Sequence, residues 1–134
     1  MYCSPTRLLA VVIITLTLAC NSSDSTPSFG SFEKLDAEFD QVITSDATIE
    51  VIADSLDWCE GPLWLKSQNA LIFSDIPLNR IYKWTNAGGV EVYLEPAGYT
   101  GSIARGGETG SNGLTLDHDG RLVLCQHGDR RIAR

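Results

Sequence analysis

From residue 61 onward the apolar positions come in short runs separated by polar turns. Residues 62–65 and 70–74 flank Ser67-Gln68-Asn69, and residues 80–84 and 90–94 flank Asn86-Ala87-Gly88-Gly89. Asn and Gly tolerate positive φ, so the second of these breaks is a strong hairpin signal. Runs this short between such turns predict antiparallel strands. The pattern then recurs. Leu63, Leu65 and Leu71 fall on Leu114, Leu116 and Leu122 at an offset of 51 residues, and Arg80-Ile81 falls on Arg131-Ile132 without a gap. Asp117-His118-Asp119-Gly120 supplies the matching turn.

Four antiparallel strands per period of roughly 50 residues is the pattern of a β-propeller blade, whereas a sandwich would not require the repeat. The expected fold class is therefore all-β, a six-bladed propeller. Such a ring needs roughly 300 residues, so this chain is expected to carry about one and a half blades plus a closing strand at 48–53. A blade lends stability to its neighbours, and the chain is expected to be truncated and poorly stable alone. Ahead of the closing strand Phe32, Leu35, Phe39 and Val42 recur at helical spacing, which predicts a short helix near 35–43.

The N-terminal pattern is different. Arg7 precedes a nearly unbroken apolar run over 8–19, the length of an export signal and too short to span a bilayer. Residues 1–20 read as a signal peptide. Leu18-Ala19-Cys20 resembles a lipobox, which makes Cys20 the expected lipidation site; a plain cleaved signal is the alternative. Residues 21–31 are small and polar, as in a flexible tether, and residues 32–134 form the propeller portion. The protein is expected to be exported, periplasmic or at the cell envelope, touching membrane only through the anchor. Its net charge of -7 makes it a poor partner for nucleic acid. Cys59 and Cys125 remain in the folded part. They could pair, but their strand contexts favour buried free thiols, and their spacing fits no metal motif.

Two segments concentrate candidate chemistry: Asp57-Trp58-Cys59-Glu60-Gly61-Pro62-Leu63-Trp64 and Gly106-Gly107-Glu108-Thr109-Gly110-Ser111-Asn112-Gly113-Leu114-Thr115. Glu60 and Asn112 lie just before the inner strands of successive units, one residue apart within the 51-residue period. Inner strands of a propeller line its channel, so both side chains are expected to face one opening. Their oxygens are hard ligands suited to calcium or magnesium, and no clustered His and thiolate points to zinc.

These segments, together with Phe73-Ser74-Asp75-Ile76, Asn79-Arg80-Ile81-Tyr82-Lys83-Trp84 and Leu124-Cys125-Gln126-His127-Gly128-Asp129-Arg130-Arg131, resemble the gluconolactonase and regucalcin (senescence marker protein 30) family. The resemblance runs from about Asp46 to Arg134 and corresponds to roughly the first two-fifths of a family member. It implies hydrolysis of a small-molecule lactone or related ester with one divalent cation, Ca2+ being expected. Glu60 matches the family's Glu-Gly-Pro metal ligand, and Asn112 matches the Asn that binds substrate near the ion. The remaining ligands and the general base would lie beyond Arg134. Regucalcin-type members carry a substrate-gripping Arg two residues before that Asn, where this chain has Gly110.

Other residues have simpler readings. Asp117-His118-Asp119-Gly120 lacks the rest of a calcium loop and reads as a hairpin turn. His127 reads as a structural hydrogen-bonder, Glu108 as a solvated loop carboxylate, and Trp58 and Trp64 as core packing between blades. The glycine-rich segment lacks the Lys of a phosphate loop, and there is no Gly-x-Ser-x-Gly elbow. The competing function is a non-catalytic propeller that binds a ligand or partner at the envelope, because fold alone does not choose between the two.

Overall fold

The structure is a computed structural model that describes residues 29–134. The signal peptide, Cys20 and most of the tether lie outside the described residues. Past a short 3-10 helix at Ala37–Gln41, every regular element is a strand: β1 Cys59–Leu65, β2 Ala70–Asp75, β3 Arg80–Thr85, β4 Gly89–Leu94, β5 Ser111–Leu116, β6 Leu122–Gln126 and β7 Arg131–Ala133. They form two antiparallel sheets, ordered β1-β2-β3-β4 and β5-β6-β7. The all-β expectation and the hairpin positions match this arrangement.

The expected helix is a single 3-10 segment. Asp36 caps it by accepting from the Glu38 amide at 2.8 Å, and Phe32 packs on Phe39 with ring centroids 5.9 Å apart. The strand expected over 48–53 does not form: only Glu50 is bridged, and residues 51–53 have no regular structure. A strand needs an edge to pair with. Neither described sheet receives this segment.

The core lies between the sheets. Leu65, Ala70, Ile72, Ile81, Ala97 and Leu124 are buried there, with Leu63, Leu114, Leu122 and Ala133 packed around them. Ile72 and Ile81 are fully buried. Each contributes about 1.5–3 kcal/mol in transfer terms.

Alternation along the strands explains which residues take part. On β2, Ile72 and Ser74 face the second sheet while Leu71 and Phe73 face away; the ring of Phe73 lies 6.0 Å from that of Tyr82. Trp64 pairs with Leu71 on the outward face and is 44% exposed, and Trp58 is 49% exposed. The expectation that these two tryptophans pack in the core is therefore corrected: Phe73 on the outward face is buried, but both tryptophans stay largely open to solvent. Cys59 and Cys125 are free, as expected, but exposed rather than buried. Cys125 alternates with the buried Leu124 and Gln126 and so lies on the outer face of the second sheet.

The register corrects the repeat. Trp64 pairs with Leu71, and Leu116 pairs with Leu122. Equivalent pairs are thus 52 residues apart on the first strand of each sheet and 51 apart on the second. The β5–β6 turn (residues 117–121) is one residue longer than the β1–β2 turn (residues 66–69). Leu63 and Leu114, which coincide at an offset of 51, accordingly come from opposite faces of their sheets and meet in the same core.

Candidate functional site at the start of the first strands

β1 and β5 make the main contact between the sheets, with β2 against β5 second; the later strands diverge from that junction. The junction is tightest where the two strands begin. A Cβ on Gly61 would stand 2.2 Å from the carbonyl oxygen of Asn112, well inside contact distance. Gly61 also has φ +59, where a Cβ is disfavoured. Both the close approach and the backbone angle therefore require glycine after Glu60.

Beneath this contact lies a buried hydroxyl pair. Ser74 Oγ is 2.8 Å from Ser111 Oγ and donates to the Asn112 carbonyl at 3.1 Å. Ser74 has one proton, so Ser111 donates to Ser74 and Ser74 to Asn112. The chain of bonds fixes the Asn112 backbone against β2.

Glu60 pairs with Ser74 and shares its face, which looks toward the second sheet. Glu60 as a residue is half-buried. A register irregularity follows in both sheets, between Glu60 and Leu63 and between Ser111 and Leu114. With the 52-residue offset of the first strands, Glu60 corresponds to Asn112 itself and Gly61 to Gly113. The two candidate residues occupy the same station on adjacent strands. They were one residue out of step only because the gapless alignment was out of step.

Hydrogen bonds hold the approach to each strand. The fully buried Asp75 accepts from the amides of Asp57 at 3.1 Å and Trp58 at 3.4 Å, which aims the chain into β1. In the second sheet Gln126 takes the place of Asp75 and donates to the Ala97 carbonyl at 3.2 Å. Asn79, at φ 56, accepts from the amides of Ala97, Gly98 and Tyr99 at 3.2, 2.7 and 3.0 Å and donates to the Tyr99 carbonyl at 2.8 Å. Sequence reasoning did not single out this organiser, although an Asn at a turn is the signal for it.

Position 110 has no room for a side chain: a Cβ on Gly110 would lie 2.6 Å from the Ile76 carbonyl oxygen, to which the Gly110 amide donates at 2.8 Å. Cys59 is disfavoured as a thiolate. Desolvation, and then the charge of Asp75, pushes its thiol up from the ordinary value. Asp117 accepts from the amides of Asp119 and Arg121, both at 2.9 Å, so this segment is the expected hairpin turn. Among the described residues no three His, Cys, Asp or Glu side chains cluster as a complete metal site. Glu60 and Asn112 offer two hard oxygen donors at equivalent positions, which suits part of the coordination shell of a divalent cation and not all of it.

Known proteins resemble this arrangement. The family description SMP-30/Gluconolactonase/LRE-like region matches residues 58–134. The gluconolactonase of Zymomonas mobilis is 38% identical over 109 residues, covering 80% of this chain and 31% of that protein. A presumed gluconolactonase solved by X-ray at the Northeast Structural Genomics Consortium superposes with a TM-score of 0.58 at 30% identity, over 73% of this chain and 30% of that one. XC5397, a gluconolactonase from Xanthomonas campestris, gives 0.54 at 33% identity, over 66% of this chain and 26% of that one. The chain thus spans about a third of the length of the relatives it matches. Because the match takes in both sheets and the strand starts that carry Glu60 and Asn112, the chain belongs to the SMP-30/gluconolactonase/LRE-like family.

Proposed function

We propose that the protein is a metal-dependent lactone hydrolase built as a six-bladed propeller, exported and held at the cell envelope through a lipid on Cys20. The observation that carries the catalytic part is the equivalence of Glu60 and Asn112 on β1 and β5. Repetition of that station around a ring would direct one polar side chain per sheet toward a common axis.

In this reading Glu60 supplies one anionic oxygen ligand and Asn112 an amide that orients the substrate. These hard oxygens would hold a divalent cation such as Ca2+, which when bound would supply Lewis-acid stabilisation of negative charge on the lactone carbonyl oxygen. Ser74 and Ser111 keep Asn112 in place through its carbonyl, so its amide is pre-positioned before substrate arrives. The carboxylate that takes the proton from attacking water belongs to sequence outside these 134 residues. The 134-residue portion alone is accordingly inactive in this proposal.

The test uses the full-length protein, with calcium titrated by calorimetry and acid release from gluconolactone followed. Glu60→Gln is expected to weaken calcium binding and lactonase activity together. Undiminished calcium affinity would remove Glu60 from the coordination sphere, and failure of the unaltered protein to open any lactone would refute the enzymatic reading. Replacing Cys20 with Ala is expected to abolish incorporation of labelled fatty acid; continued labelling would refute the anchor.

A further inference from the structure

A polar cavity opens beside the strand starts. It has a volume of about 170 Å³, and its lining includes Arg105, Glu108, Thr109, His127, Gly128 and Arg130. We propose that this cavity receives an anionic substituent, a carboxylate or a phosphate, carried by the lactone substrate. The proposal rests on the lactonase reading and deepens it by naming the substrate class.

The cavity borders the candidate site. Thr109 lies three residues before Asn112, a span of at most about 11 Å of extended chain. His127 follows Gln126, which pairs with Ser111. The two loops forming the cavity are locked together, because a Cβ on Gly128 would stand 2.4 Å from the Thr109 carbonyl oxygen.

Arg105 is held ready rather than swinging free. Its Nη1 donates to the Gly128 carbonyl at 2.8 Å, and its guanidinium carbon sits 4.5 Å from the centre of the Tyr99 ring. Tyr99 is itself fixed by Asn79 through its amide and its carbonyl. A guanidinium has five N–H donors, so one internal bond leaves an unspent fork suited to a carboxylate or phosphate. Arg130 stands at φ 56, in the left-handed region that non-glycine residues seldom adopt, in a turn closed by its amide donating to His127 at 3.2 Å.

The opposing charges are accounted for. The Asp129 carboxylate is engaged by the Thr100 hydroxyl at 2.6 Å and by Arg131 at 3.2 Å. Glu108 Oε2 lies 3.9 Å from His127 Nε2, too far for a hydrogen bond, and both side chains are partly exposed. An entering anion would meet Arg105 and Arg130, with Glu108 and the Arg131-paired Asp129 as the carboxylates nearby. The volume holds about five waters, enough for a carboxylate or phosphate but not for a whole sugar with its ring and substituents.

The experiment compares kcat/KM of the full-length protein on three substrates: glucono-δ-lactone, the lactone with a carboxylate at its sixth carbon, and the same lactone phosphorylated there. At least one anionic lactone is expected to exceed the neutral one. Arg105→Met is expected to lower kcat/KM for that anionic lactone about tenfold more than for the neutral lactone, chiefly through KM. Arg130→Met is expected to act in the same direction and gives a second measure should the first variant fail to fold. Which anion loses more in these variants tells carboxylate from phosphate. Hydrolysis of all three without charge preference, or equal losses on neutral and anionic substrates, would overturn this inference and leave the lactonase reading standing. No hydrolysis of any of the three would overturn both.

Discussion

Gly61 and the carbonyl of Asn112 touch so closely that the added carbon of an alanine would sit 2.2 Å from that oxygen. The contact joins the two sheets at the point where both candidate residues emerge. Gly61→Ala is therefore expected to destabilise the protein by more than the roughly 1–2 kcal/mol of a left-handed backbone alone, since strand separation adds to it. Gly113→Ala is the control. It occupies the equivalent position in the second sheet, yet its Cβ would find nothing nearer than Cys125 Sγ at 3.8 Å. Denaturant unfolding of the two variants should separate them clearly, and equal losses would contradict the close approach.

The Ser74–Ser111 pair offers an independent check on the same junction. Both residues are fully buried, and Ser74→Ala leaves the Ser111 hydroxyl and the Asn112 carbonyl without this partner. The expected loss is about 1–3 kcal/mol. In a double-mutant cycle with Ser111→Ala the two losses should fall short of adding, because the second change removes a group the first already orphaned. Strict additivity would mean that the hydroxyls do not interact.

Much of this architecture is legible from the chain, and the misses have physical causes. Apolar runs and the polar turns at 67–69, 86–89 and 117–120 place the hairpins of the first sheet and the first hairpin of the second, because a half-buried antiparallel strand must alternate. The exact repeat was less legible. An extra residue in the Asp117 turn moves the first strand by one position, and the Leu matches at 51 residues persist because both faces of these sheets accept leucine. The Gly61–Gly113 identity, at 52 residues, was the clue to the true register. Residues 48–53 have strand composition, but pairing needs an edge that composition does not reveal. The burial of Cys59, Cys125, Trp58 and Trp64 was misjudged for a related reason: it depends on which sheet face is covered, and only one face of each sheet meets the other.

Asn79 carries two burdens that can be separated by mutation. It adopts φ 56, and its side chain makes four hydrogen bonds to the backbone of residues 97–99. Asn79→Gly keeps the backbone freedom and loses the bonds, with an expected loss exceeding about 1 kcal/mol. Asn79→Ala loses both and should be worse by roughly another 1 kcal/mol. Because Asn79 positions Tyr99, and Tyr99 underlies Arg105, both variants should also increase proteolytic cutting between residues 97 and 106. Protection equal to that of the unaltered protein would show that the loop is ordered by something else.

Asp117 and Asp129, outside the candidate site, contribute to the expected acid response. The backbone amide of Arg121 is the largest cause holding Asp117 below the ordinary carboxylate value, and the Thr100 hydroxyl is the largest for Asp129. In each case the folded form releases its proton more readily than the unfolded chain does. The stabilisation is therefore fully present above the unfolded value of about 3.9 and is lost as pH falls through the lower folded values. Asp117→Asn keeps an acceptor for the turn amides but removes the titrating charge and its pairing with Arg121. The variant should be less stable at neutral pH, and its melting temperature should fall less steeply below about pH 4. Melting curves recorded across that range would decide the matter: parallel pH profiles for variant and unaltered protein would show that Asp117 takes no part in acid unfolding, whereas convergence of the two at low pH is the outcome expected from the turn geometry.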